Sequence, residues 1–187
     1  MRTLLRFLAL APLSVVTACT RPPPEPAPLA TTNGGVSAEA PAPKVAPAAS
    51  CPSDPESKGP IGAPLTITFV EAKGARIDAE LARTPAETER GLMYRTKMSE
   101  DSGMLFRLEK HVEHTFWMRN TCIPLDMLFV EDDGLIVGIS ESVPTLNDAP
   151  RSVGRPSSWV LEVNAGWSRR HGVHAGQHLV LPAAARL

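Results

Sequence analysis

Through the second two thirds of the chain, apolar and polar positions alternate in short runs, and the alternation predicts strands. Leu65–Val70 reads LTITFV, alternating and rich in β-branched residues, as a half-buried strand requires. Ala75–Ala82 sets Ile77, Ala79 and Leu81 against Arg76, Asp78 and Glu80; with the turn Glu71-Ala72-Lys73-Gly74 it closes a hairpin. Thr84-Pro85-Ala86-Glu87 supplies an N-cap, a proline at the first helical position and an acid at the third, a capping box for a helix running to about Tyr94. Gly103–Leu108, Glu113–Met118 and Leu125–Val130 predict three more strands. Asp132-Asp133-Gly134 is a hairpin turn into Leu135–Ser140. After a proline-bearing loop, Glu141–Pro156, come the strand Trp159–Val163, a short helix or turn at Gly166–His171 and a last strand at Leu179–Leu181. Seven or eight short strands with two short helices predict a mostly β, α+β domain. The expected form is a compact, closed or nearly closed β-barrel, because closure removes exposed strand edges.

The first third has a different pattern. Arg2 and Arg6 precede the apolar run Phe7–Val16, too short for a bilayer span of about 20 residues and suited to a secretory signal. Val16-Thr17-Ala18-Cys19 resembles a bacterial lipobox, which makes 1–19 a lipoprotein signal and Cys19 the lipidated residue. More than one acyl chain gives stable anchoring at about 0.8 kcal/mol per buried CH₂, so the expected partner through Cys19 is the membrane. Thr20 is not the Asp of an inner-membrane retention signal, which points to the outer membrane, facing the periplasm. Residues 20–61 hold 11 of the 19 prolines and hardly any large apolar residue, and predict a disordered Pro/Ala-rich linker. Residues 62–187 form one domain with 14 Lys+Arg and 16 Asp+Glu, a balance that suggests no nucleic-acid surface.

Five motifs follow one another through this domain: Arg90-Gly91-Leu92-Met93-Tyr94-Arg95, Gly103-Met104-Leu105-Phe106, Phe116-Trp117-Met118-Arg119-Asn120-Thr121, Ile123-Pro124-Leu125-Asp126 and Val160-Leu161-Glu162-Val163-Asn164-Ala165-Gly166. Together they resemble the DUF192 family, also called UPF0127, over about Leu65–Leu181. The resemblance implies a compact, β-rich, barrel-like fold and brings no established activity with it. Gly176-Gln177 stands where the family usually has Gly-Asp.

Four sets of residues could carry chemistry. Arg90, Arg95, Arg119, Asn120, Thr121, Asp126 and Glu162 could meet at one rim of the barrel. Arginine forks grip carboxylates or phosphates, and Asp126 with Glu162 could form a general acid/base pair if they approach one another. The same residues could equally be a polar network that fixes loops. Met93, Met104, Phe106, Phe116, Trp117 and Met118 read as core, or as an apolar groove in which Trp117 is the best binding candidate. His111 with His114, and His171, His174 and His178, have spacings that could hold a metal, but Gly172 and Gly176 interrupt any helix there, and no metal or other cofactor is expected. With Cys19 taken by lipid, Cys51 and Cys122 remain; in an oxidising compartment two such thiols pair, whereas a reduced Cys122 could be a nucleophile.

No complete catalytic set emerges. The leading expectation is a non-catalytic, lipid-anchored module that holds a small polar ligand or cell-envelope component at the rim. An envelope hydrolase using Asp126 and Glu162 and a structural protein-interaction module are the alternatives.

Overall fold

The computed structural model describes residues 45–187. The signal segment, Cys19 and the linker as far as residue 44 lie outside the described residues.

Seven strands form one sheet: β1 (Leu65–Phe69), β2 (Arg76–Ala82), β3 (Ser102–Glu113), β4 (Leu125–Val130), β5 (Ile136–Val143), β6 (Pro156–Asn164) and β7 (Leu179–Val180). Their order across the sheet is β5-β4-β6-β3-β2-β1-β7. All the pairings are antiparallel except β2 with β3. The sheet curls into a half-barrel, and a bridge between Leu135 and His178 links its two ends. Ile136 N–H donates to the Gln177 carbonyl there at 2.9 Å. The expectation of a mostly β, barrel-like domain is met, with the sheet curled into half a barrel.

Alternation on these strands divides the core in two. One cluster draws on all seven strands and includes Ile67, Ile77, Leu105, Leu128, Ile136, Leu161 and Leu179, with Trp167 among them. The other takes the opposite face of the central strands, Met104 and Phe106 on β3, Met127 and Phe129 on β4, and Val160 on β6. It is completed from outside the sheet by Leu92, Met118 and Ile123. β4 is buried at every position, which is why its sequence reads LDMLFV as a near-continuous apolar run rather than a strict alternation.

The helices are α1 (Pro85–Arg90), α2 (Trp167–Arg170) and α3 (Ala183–Arg186). The capping box of α1 forms as expected: Glu87 N–H donates to the Thr84 hydroxyl and the Glu87 carboxylate accepts from Thr84 N–H. α1 ends at Arg90, short of Tyr94, because Gly91 turns the chain at φ 47°. α3 follows Pro182 and is a third helix beyond the two expected. The strand expected at Glu113–Met118 is divided: β3 runs on to Glu113 through a register shift after Arg107, and Phe116 keeps only an isolated bridge to Arg151.

Residues 45–61 have no helix or strand, yet they are fastened to the domain. Cys51 and Cys122 form a disulfide with their Cα atoms 5.6 Å apart. Ala48 N–H donates to the Cys122 carbonyl at 2.9 Å, Asp54 pairs with Arg90 at 2.5 Å, and Ile61 packs against the second core cluster. Residues 45–61 are therefore a strap on the domain.

Candidate functional site

The parallel pairing of β2 with β3 requires a crossover, since two parallel strands cannot be joined by a tight turn. The crossover carries α1 and Gly91–Met93 over the outer face of β3. The segment His114–Trp117 borders the same space. Between them lies a cavity of about 490 Å³, with walls that include Leu92, Met93, Phe106, Leu108, Phe116 and Trp117. The Phe106 and Phe116 rings meet edge to face at 5.2 Å, an arrangement aromatic pairs favour. Gly91 brings the backbone to the cavity: a Cβ built there would lie 3.2 Å from the Phe106 ring.

Glu162 on β6 is the polar group of this cavity that stands apart. Its side chain lines the cavity, the residue is only 4% exposed, and it has no hydrogen-bond or ion-pair partner among the described residues. The residues paired with it across the sheet, Met104 on β3 and Met127 on β4, offer it no polar atom but a thioether. Burial alone pushes its carboxyl from 4.5 up to about 8, because removal from bulk water disfavours the charged form.

Asp126 has the opposite situation. It is fully buried, and its carboxylate accepts backbone N–H bonds from Ser142 at 2.8 Å and from Gly166 and Ser168 at 3.0 Å each. These bonds fasten the end of β5 and the start of α2 to β4. Residues directly opposite one another in an antiparallel pair share a face. Asp126 pairs with Val163 and Met127 with Glu162, so the two carboxylates project from opposite faces of the sheet. The acid/base pair that a hydrolase would need is not brought together.

The remaining rim candidates separate in the same way. Arg90, Trp117 and Thr121 line the cavity with Glu162. Arg90 is already committed to Asp54 and Glu56 of the strap, and the Arg90 hydrogen bond is the main reason Asp54 titrates below the usual carboxylate range. Trp117 is 43% exposed and carries the Arg119 guanidinium 4.5 Å from its ring centre; Arg119 also reaches Asp148 at 3.3 Å. Arg95 is held by Glu80, with one of its two bonds at 2.7 Å. Asn120, at φ 53°, donates to the Tyr94 hydroxyl at 3.0 Å, and its carbonyl accepts from Tyr94 N–H at 2.7 Å. Arg95 and Asn120 thus hold loops around the cavity without lining it.

Among the described residues no group of three or more His, Cys, Asp and Glu is placed to hold a metal ion. The histidines are engaged singly: His171 stacks on Trp167, His174 bonds to Gln177, and His178 reaches Glu71. Cys122, in its disulfide, is no thiolate. No helix of the described residues is long and apolar enough to cross a membrane.

Of the residues the sequence offers as core or groove, Met104, Phe106 and Met118 are buried core, and Phe106 also lines the cavity together with Met93, Phe116 and Trp117. Arg107 and Leu108, also on the cavity, were not singled out. Their signal in the sequence is the change from the apolar Met104-Leu105-Phe106 to the charged Arg107-Leu108-Glu109-Lys110.

A family model, DUF192, described as an uncharacterized ACR, matches residues 68–181. Two crystal structures share the fold. One is of a protein described as "a putative transcription regulator" from Sinorhizobium meliloti 1021; it is 37% identical, the match covers 66% of this chain and 96% of that one, and the TM-score is 0.62. The other is of a protein of unknown function from Novosphingobium aromaticivorans DSM 12444, with 34% identity, 72% and 94% coverage and a TM-score of 0.61. No curated protein matches the chain.

Proposed function

The chain belongs to the DUF192 family, and from that premise we propose that its domain is a non-catalytic binding module whose ligand enters the cavity between α1 and β3. The observation that carries this reading is Glu162: a buried carboxyl without a partner, facing an open space walled by aromatic and aliphatic side chains. Burying a polar group without a hydrogen bond is costly, and a ligand that bonds to it removes the cost. The walls favour a small amphipathic molecule, an apolar body with one polar end, over a wholly polar one. The lipobox reading adds the setting, a domain held by lipid on Cys19 at the periplasmic face of the outer membrane and supplied with ligand from the envelope. The domain's excess of acidic over basic residues gives no reason to extend the regulator description of the S. meliloti protein to a nucleic-acid partner here.

Thermal-shift and calorimetric screening of the purified protein against amphipathic envelope metabolites and short peptides tests the binding reading. A hit is expected to lose affinity in Glu162→Ala, and a screen in which no class of compound binds refutes the reading. For the setting, Cys19→Ser is expected to leave the membrane fraction or to accumulate as uncleaved precursor. Unchanged processing and fractionation would remove the lipid anchor from the account.

A further inference from the structure

The surroundings of Glu162 restrict what can meet it. On the strands beside it the paired residues are Met104 and Met127, and the rings on the cavity include Phe106 and Phe116. The charged groups on the cavity are Arg83, Glu89 and Arg90 in and before α1, Arg107, Glu109 and Lys110 on β3, with His114 beyond. None of them pairs with Glu162. Arg83 donates to the Ala184 carbonyl, Arg90 is taken by Asp54 and Glu56, and the Arg107 guanidinium lies 6.0 Å from the Trp159 ring centre. A carbonyl does not cancel the Arg83 charge, so the outer charges are Arg83, Arg107 and Lys110 against Glu89 and Glu109, one positive in excess at the mouth; a preference for a cation has to come from Glu162 and the rings within.

A carboxyl in such a place lacks both donors and a counter-charge. An ammonium group supplies the two together, and aromatic walls attract cations through their ring faces. We propose that the ligand of this cavity enters amine-first: a primary amine on a small apolar body, its ammonium paired with the Glu162 carboxylate and its body against Leu92, Phe106 and Phe116. The inference rests on the cavity being the ligand site. The proton balance is simple. Where the free protein holds Glu162 as the neutral acid, binding an ammonium converts it to carboxylate and releases one proton to solvent.

Calorimetry of the purified full chain with two matched probes, 2-phenylethylamine and 2-phenylethanol, distinguishes the possibilities. The amine's own pKa lies near 10, as for a lysine side chain, so it is cationic throughout the range of interest. Its affinity is expected to rise about tenfold per pH unit below the Glu162 pKa and to level above about 8. Titrations in buffers of different ionisation heat should show close to one proton released near neutral pH. Glu162→Gln should still bind the alcohol but lose both the preference for the amine and its rise with pH. Equal, pH-independent binding of the two probes, or an unchanged amine profile in Glu162→Gln, overturns the amine inference and leaves the site standing. If neither probe binds the wild-type chain, the site reading falls and the inference falls with it.

Discussion

Replacing Glu162 by glutamine should make the protein more stable at alkaline pH, which is an unusual expectation for a buried residue. Glutamine has the shape of the neutral acid and never ionises. The wild-type carboxyl is raised from 4.5 to about 8 in the folded protein, so the folded state holds the proton more tightly than the unfolded state does. Its contribution to stability is complete below 4.5 and is lost progressively as pH rises to about 8. At 1.36 kcal/mol per pH unit, the full interval corresponds to roughly 5 kcal/mol. That figure is an upper bound, because Glu162 faces a cavity and its carboxylate can draw water to itself. Urea denaturation of both proteins without reductant, between about pH 5 and pH 9, gives the difference directly and cancels the titration of every other group. The two should be nearly equally stable at the acid end, and Glu162→Gln should gain by more than about 1 kcal/mol for each unit through the middle of the window. Stability profiles that stay parallel across the range would refute the claim that this carboxyl is buried without a partner.

Three other perturbations have definite expected outcomes. The Cys51–Cys122 disulfide closes a loop across 71 positions, for which the chain-entropy relation gives about 4 kcal/mol; Cys51→Ser should lower the unfolding free energy in urea by that order and expose residues 45–61 to protease, whereas an unchanged unfolding curve would show the strap to be idle. Asp126→Ala leaves three backbone N–H groups without their acceptor, at about 1–3 kcal/mol each when buried, so equilibrium unfolding should show a loss of at least about 3 kcal/mol; a loss below about 1 kcal/mol would contradict the role given to it here. Gly103→Ala would place a Cβ 2.5 Å from the Glu162 carbonyl oxygen, and a thermal melt should fall by the equivalent of about 3 kcal/mol as β3 and β6 are forced apart; a wild-type melting temperature would show that the pairing yields without cost.

What the sequence disclosed depended on whether a feature was local. The strands β1 and β2 were legible because Ile67, Ile77, Ala79 and Leu81 alternate with polar neighbours, and the start of α1 because Thr84 and Glu87 form a complete cap within four residues. The disulfide was legible by counting thiols. The site was not, for two reasons. Asp126 and Glu162 looked like partners until register was known, and in a sheet one residue of register moves a side chain to the other face. The cavity is a matter of shape: Phe106 and Phe116 are the residue types that fill a core equally well, and only the path of the crossover leaves space beside them. α3 escaped notice because Ala183–Arg186 is a single turn at the chain end, too short for any periodicity to show.

The one parallel pairing among the described strands has a consequence for how such a site can diversify. The connection from Ala82 to Ser102 must pass over one face of the sheet, and in doing so it becomes the cover of the cavity. Floor and cover therefore have separate addresses in the chain. The floor, with Glu162, belongs to strands whose opposite face is committed to the core, and little can change there. The cover is fastened at separate points, by Leu92 in the second core cluster, by Tyr94 to Asn120, by Arg95 to Glu80 and by Arg90 to the strap, and the stretches between those points are freer to vary. Lengthening or recasting that one connection enlarges, narrows or re-sorts the chamber while the sheet beneath keeps its register, so a lineage built on this frame can alter what it holds without learning to fold again.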